Sequence, residues 1–224
     1  MELSVLELSK RLGVTPITIE RWLRQGNLPV SSKGTHCRFN KKDLENWASK
    51  RNISLDFSEN KNLSSPEKEH PLLSAAIQDG GVYYDIKGDN VHQVLKNSID
   101  KFTVIPQDFK DDLFDRLARR EAALSTGIGK GIAIPHPREQ LHYLTSPVIC
   151  VSFLDHPVDY NALDQKQVFV LFFILCPDLK LHLHLLSALS FCLKDFQFIQ
   201  FLEQKPAAGL LIKKIEFLQQ RNTI

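Results

Sequence analysis

One stretch of the chain concentrates residue types that can handle an anion. Ser125, Thr126, Gly127, Gly129, Lys130 and Gly131 lead into a short apolar run ending at Pro135-His136-Pro137. Two well-known phosphate turns fail on spacing. A P-loop needs Gly-Lys followed by Ser or Thr, and Lys130 is followed by Gly131. A dinucleotide turn needs G-x-G-x-x-G opening a helix, and Ile132 stands where its last glycine belongs. What remains is a glycine-rich turn that can present backbone amides, beside one imidazole. Amides bind phosphoryl oxygens, and glycine lets the backbone come close. A neutral imidazole, with a reference pKa of about 6.5, is a competent nucleophile near neutral pH. Attack on a phosphoryl group would make His136 a phosphohistidine. Composition and spacing alone favour a plainer reading, an ordinary turn histidine beside a hairpin.

A second set of residues lies near the N-terminus. Thr18, Arg21 and Gln25 recur on one predicted helix, opposite Ile19 and Trp22. Short polar groups and arginine on a helix suit the major groove of duplex DNA. Lys33, His36 and Arg38 on the following hairpin would reach phosphates or the minor groove. The alternative is a small bundle whose basic residues only cover its surface. Metal chemistry finds no support. His182 and His184 diverge on a helix with no third ligand, and the four cysteines are scattered with no C-x-x-C. No cofactor is called for.

The elements that must position these groups follow from composition and pattern. The chain has 224 residues, 43% hydrophobic and 24% charged, enough for ordinary globular cores without disulfides. Reduced thiols imply a cytoplasmic protein. The longest apolar run, Val168 to Cys176, is too short to span a bilayer, so no membrane partner is expected. Charge is uneven. Residues 1–54 carry ten Lys/Arg against five Asp/Glu, a net +5, whereas residues 72–224 are at −1. Only the first part suits an anionic partner. Between them, residues 55–71 are polar, hold two prolines and show no apolar period, which predicts a linker.

Within residues 1–54, Ser4 to Glu7 is a capping box, Thr15-Pro16 opens a second helix, and Asn40 caps a third. Leu28-Pro29-Val30 and Cys37-Arg38-Phe39 predict short strands forming a wing. Residues 72–224 alternate helix and strand, an α/β domain. Helices are expected over 91–102, 107–123, 179–193, 196–202 and 209–218, and strands over 132–135, 147–154 and 168–176.

The glycine segment, with Arg120-Glu121-Ala122-Ala123-Leu124 ahead of STGIGKGIAIPH, resembles the signature of phosphotransferase-system EIIA domains of the fructose/mannitol type. It is most similar to the nitrogen-regulatory, PtsN-like members. The resemblance runs over about residues 72–220. It implies a mixed sheet flanked by helices. It also implies that His136 accepts a phosphoryl group from the phosphocarrier HPr or its nitrogen-branch counterpart. Arg120 matches a family arginine near the phosphohistidine, and His182 a second histidine beside it. Pro137 departs from the small residue that usually follows the histidine, and it removes one backbone N–H.

Residues 2–50 resemble the DNA-binding module of MerR-type regulators and phage excisionases. The match lies in Leu12-Gly13-Val14, in Trp22-Leu23-Arg24-Gln25-Gly26 and in Asp43 to Trp47. No dimerising coiled coil follows, so any homodimer must form through the larger domain. The expectation is two domains, a small, mostly α winged helix-turn-helix and a larger α/β EIIA-like domain. Three functions remain open. The first is a phosphorylation-responsive transcriptional regulator acting on double-stranded DNA. The second is a phosphoryl relay to an EIIB permease component. The third is a docking regulator in which His136 is idle. In each the chain is a carrier or regulator rather than a stand-alone enzyme.

Overall fold

The computed structural model describes residues 2–33, 36–50 and 73–220. The expected linker, residues 55–71, lies outside the described residues. Those described form two compact units, one drawn from residues 2–50 with 140–146, the other from residues 73–139 with 147–220.

In the first unit, strand β1 (Glu2–Ser4) runs into helix α1 (Val5–Leu12), followed by α2 (Pro16–Arg24). The capping box forms as its sequence requires: the Ser4 hydroxyl accepts from Glu7 N at 3.1 Å, and Ser4 N donates to the Glu7 carboxylate at 2.8 Å. Thr15 caps α2 and Pro16 fills its first turn. Strands β2 (Val30–Lys33) and β3 (His36–Phe39) make the antiparallel wing, and α3 (Lys41–Ser49) starts on an Asn40 cap. Pro29 has no N–H to donate, so β2 begins after it, two residues later than expected. β1 was not foreseen; it pairs antiparallel with β3, which becomes the middle strand. Leu8, Leu12, Ile19, Trp22, Leu44 and Trp47 are buried. The two indoles meet edge to face at 5.5 Å, and the Trp47 N–H donates to the Asn27 carbonyl.

The second unit opens with α4 (Leu73–Gly80), β4 (Val82–Ile86), α5 (Val91–Lys101) and α6 (Gln107–Ala123). A small hairpin follows, β5 (Gly127–Gly129) and β6 (Ile132–Ala133). The long strands β7 (Val148–Val158) and β8 (Val168–Leu175) come next, then helices α7 (Leu179–Cys192), α8 (Phe196–Glu203) and α9 (Ala208–Gln220). α4, β4 and β5 are additions to the sequence reading. The sheet order is β4-β7-β8-β6-β5, with β4–β7 and β6–β8 parallel and β7–β8 and β5–β6 antiparallel, so the sheet is mixed as expected.

β7 and β8 are apolar on both sides because helices cover both sides. Ile149, Val151, Phe153, Val170, Phe172 and Ile174 pack with α4, α7, α8 and α9 through Ile77, Leu189, Phe198 and Leu211. On the other face Phe173 meets Phe102, at the end of α5, edge to face at 5.0 Å. Among the described residues no single helix is long and apolar enough to cross a membrane; α7 and α8 are bent by 91° to each other.

Candidate functional site

The site is built where the hairpin meets the sheet. β6 pairs in parallel with β8 for only two residues, Ile132 with Val170 and Ala133 with Leu171. Pro135 then ends the donor ladder, while its carbonyl still accepts from Ile174 N at 3.0 Å. The peptide leading into His136 is therefore anchored to the most buried strand. The His136 ring turns back on its own chain: Nδ1 lies 2.8 Å from the Ile134 carbonyl oxygen. A carbonyl can only accept, so the neutral ring carries its proton on Nδ1 and leaves the Nε2 lone pair free.

His182 stands opposite, its ring centroid 5.1 Å from that of His136 and the planes 46° apart. It sits in the first turn of α7, whose start is set by the Asp178 carboxylate accepting from Leu181 N at 2.9 Å. The expected pairing of His136 and His182 is therefore present, formed across the sheet edge by residues 46 positions apart. Burial lowers the pKa of both imidazoles below the usual 6.5; the Arg120 charge lowers His136 further, and His136 in turn lowers His182. Arg120 comes from the last turn of α6 and donates to the Leu124 carbonyl at 2.6 Å. Its neighbour Arg119 is exposed and bonds the Asp115 carbonyl instead, and it is the Arg120 charge that acts on His136. His184 faces away, into a surface hollow lined with Ser187, Phe191 and Lys194.

The loop expected to cradle phosphate does something else with its polar groups. Thr126 N donates to Glu121 Oε1 at 2.7 Å, Gly127 N to Ser125 Oγ at 3.1 Å, and Lys130 N to Asp164 Oδ2 at 2.8 Å. The Ser125 hydroxyl donates to the Tyr160 carbonyl. The expectation for Ser125, Thr126 and Gly127 is corrected accordingly: their donors are committed within the protein. Gly129 and Gly131 serve the turn, with φ of +87° and +76° on either side of Lys130 at +56°. A Cβ on Gly131 would lie 2.5 Å from the Phe169 ring. His136, His182 and Arg120 remain the candidate phosphate-handling groups.

Residues 76–214 match the family described as "Phosphoenolpyruvate-dependent sugar phosphotransferase system, EIIA 2". The chain belongs to that EIIA family. A curated relative, the nitrogen regulatory protein of Pseudomonas aeruginosa, is 37% identical to it over 150 residues, covering 66% of this chain and 96% of the relative. The Escherichia coli nitrogen regulatory protein is 39% identical over 85 residues, 37% of this chain and 52% of the relative. In fold, the EIIA domain is similar to the nitrogen regulatory protein IIA-Ntr of Neisseria meningitidis. That likeness has a TM-score of 0.53 at 22% identity, over 64% of this chain and 94% of the other.

The unit preceding the EIIA domain matches a helix-turn-helix model over residues 2–52; the match is to the broad class, not to the MerR subtype. Its candidate contact residues are only partly where the sequence reading put them. Thr18 is buried, its hydroxyl 2.9 Å from that of Thr15 inside the cap. The reason is helical period: Thr18 precedes Trp22 by four residues and shares its inward face. Arg21 is half-buried, whereas Gln25 and Arg38 are exposed. The side chains of Lys33 and His36 lie outside the described residues. The outward ridge of α2 is instead Ile17, Glu20 and Arg24. A helical-wheel count from the Thr15 cap would have found it.

Proposed function

We propose that this chain is a phosphorylation-responsive DNA-binding regulator. Its EIIA domain accepts a phosphoryl group on Nε2 of His136 from a phosphocarrier protein, and its helix-turn-helix unit binds duplex DNA. The observation that carries the reading is the His136 ring, held at Nδ1 by the Ile134 carbonyl beside His182 and Arg120. The Nε2 lone pair attacks phosphorus while the donor's P–N bond breaks and its electron pair returns to the donor's imidazole. The Nδ1–H stays on the Ile134 carbonyl, which offsets the positive character the ring gains. Arg120 stabilises the charge on the transferring oxygens. His182, neutral beforehand, gains a reason to hold a proton once the phosphoryl dianion stands next to it, and then donates to it.

The donor is HPr or its nitrogen-branch counterpart, and an EIIB component or a regulatory protein is the other protein partner. Exposed Leu179 and Leu183 lie on the same face of α7 as His182 and offer such a partner apolar surface. Duplex DNA meets α2 through Ile17, Glu20, Arg24 and Gln25, with Arg21 and Arg38 supporting, and the +5 charge of residues 1–54 supplies the phosphate attraction. These activities place the protein in the cytoplasm.

The test is incubation with the phosphocarrier, its enzyme I and phosphoenolpyruvate, read by intact mass. One phosphate is expected on the wild-type chain, labile in acid and stable in alkali. His136→Ala should take up none, and His182→Ala should take it up more slowly. Uptake at the wild-type level by His136→Ala would remove the assignment.

A further inference from the structure

Glu121 follows Arg120 in the last turn of α6, and its carboxylate is bonded twice to one residue. Oε1 accepts from Thr126 N at 2.7 Å and Oε2 from the Thr126 hydroxyl at 2.5 Å. Thr126 is buried. Its carbonyl accepts from Ile134 N at 3.0 Å, across the mouth of the β5–β6 hairpin. The Ile134 carbonyl, on the far side of the same residue, is the group that holds His136 Nδ1. An unbroken line of hydrogen bonds therefore runs from the Glu121 carboxylate through Thr126 and Ile134 to the imidazole. The Ser125 hydroxyl fixes the neighbouring residue of the strap to the Tyr160 carbonyl.

Resting on the phosphoryl-acceptor reading above, we propose that Glu121 is a positioning residue for His136: by clamping Thr126 it fixes the Ile134 peptide, and so selects the imidazole tautomer whose lone pair is on Nε2. The same helical turn then supplies two things, the Arg120 charge and the geometry of the nucleophile. A clamp matters here because β6 is only two residues long and Pro135, which accepts from Ile174 N, has no N–H to donate to the ladder. Without the strap, a hairpin held by so few sheet bonds would let the Ile134 carbonyl swing, and the ring would sample both tautomers. Glutamine at the position preserves the clamp: its carbonyl accepts Thr126 N–H and its amide donates to the Thr126 oxygen. Alanine removes it.

The experiment uses the full-length chain with ¹⁵N-labelled histidine. Long-range proton–nitrogen correlations of the imidazoles, recorded above pH 7, report which ring nitrogen carries the proton. The wild type should show His136 protonated at Nδ1, and Glu121→Gln should match it. Glu121→Ala should show averaging between tautomers, and its maximal phosphorylation rate should fall about 10-fold or more with little change in KM for the carrier. Thr126→Val, which keeps the N–H and loses the hydroxyl, should lie between, and it serves if Glu121→Ala does not fold. A folded Glu121→Ala, or a Thr126→Val, with the wild-type tautomer pattern and wild-type rate overturns the proposal. So does a wild-type His136 protonated at Nε2. Absence of phosphorylation in the wild type, with the tautomer pattern as expected, would instead remove the acceptor reading and leave the positioning effect intact.

Discussion

At His136 burial and the Arg120 charge act in the same direction, both opposing a proton on the ring. The nucleophile is thus neutral across physiological pH. Its phosphorylation rate should stay level as pH falls to about 6.5 and decline only below that, as the ring protonates. Arg120→Gln removes one of the two lowering influences, so the acid limb should move to higher pH while the plateau rate drops. NMR titration of His136 beside initial rates would check this; a limb moving to lower pH would contradict the assigned role. The sign for stability follows. An unfolded histidine takes its proton near pH 6.5, before the folded one does. The unfolded chain therefore binds more protons in that window, and the contribution of neutral His136 and His182 to stability is present above pH 6.5 and lost below it. His136→Ala should shrink this loss in denaturation midpoints measured from pH 7.5 to 5.5.

Elements hold these residues by a few local devices, each open to a single change. The β5–β6 turn depends on Gly131, whose φ of +76° disfavours any side chain and whose missing Cβ makes room for Phe169. Gly131→Ala should cost about 1–3 kcal/mol through strain and overpacking, read as a lower urea midpoint with unchanged slope. It should slow phosphorylation too, because the turn carries β6. In the helix-turn-helix unit the corresponding device is the Thr15 cap. Thr15→Ala removes the acceptor for Thr18 N and the partner of the Thr18 hydroxyl, which should cost about 1 kcal/mol of local stability. Faster hydrogen exchange in the first turn of α2, with α7 unchanged, is the expected result. Equal acceleration in both would mean that the cap acts globally.

For the whole molecule the question is how a mark on one unit reaches the other. The helix-turn-helix unit should bind duplexes with log K falling against log salt at a slope near −3.6 if about four phosphates are neutralised. Phosphorylation adds about −1.5 to −2 charges at His136. Surface charge is screened beyond about 8 Å at physiological salt, and a linker of 17 residues has an expected span of about 22 Å, so we expect any shift in DNA affinity to come from a change of contacts or of assembly rather than from simple repulsion. The expected effect is the usual coupling range, about 5–150-fold. It should persist at doubled salt and be absent in His136→Ala given the same phosphorylation mixture. An effect that fades in step with added salt would show direct electrostatics instead.

The local features were legible from the residues because they are set by near neighbours. Ser4, Thr15 and Asn40 cap the helices that their types imply, and the unbroken apolar runs of β7 and β8 announced strands covered on both faces. The glycine-rich signature pointed to His136, Arg120 and His182, and the family match agrees with that resemblance. What stayed hidden was every feature that depends on a distant partner. β1 and β5 are three residues each, too short to show a period, and exist only because β3 and β6 pair with them. The loop's polar groups are occupied by Glu121, five residues before Thr126, and by Tyr160 and Asp164 of the β7–β8 loop, more than 30 residues away, and only the latter two are hidden from a local reading. The polar type of Thr18 suggests an outward position, but its spacing of four residues from Trp22 turns it inward. Sequence by itself determined helix ends and core strands, since propensity and pattern act over a few residues, and its resemblance to the EIIA signature singled out His136 as the acceptor candidate. Only the tertiary structure decided which nitrogen of that histidine is free, because the Ile134 carbonyl that holds the other is oriented by hydrogen bonds from outside its own segment.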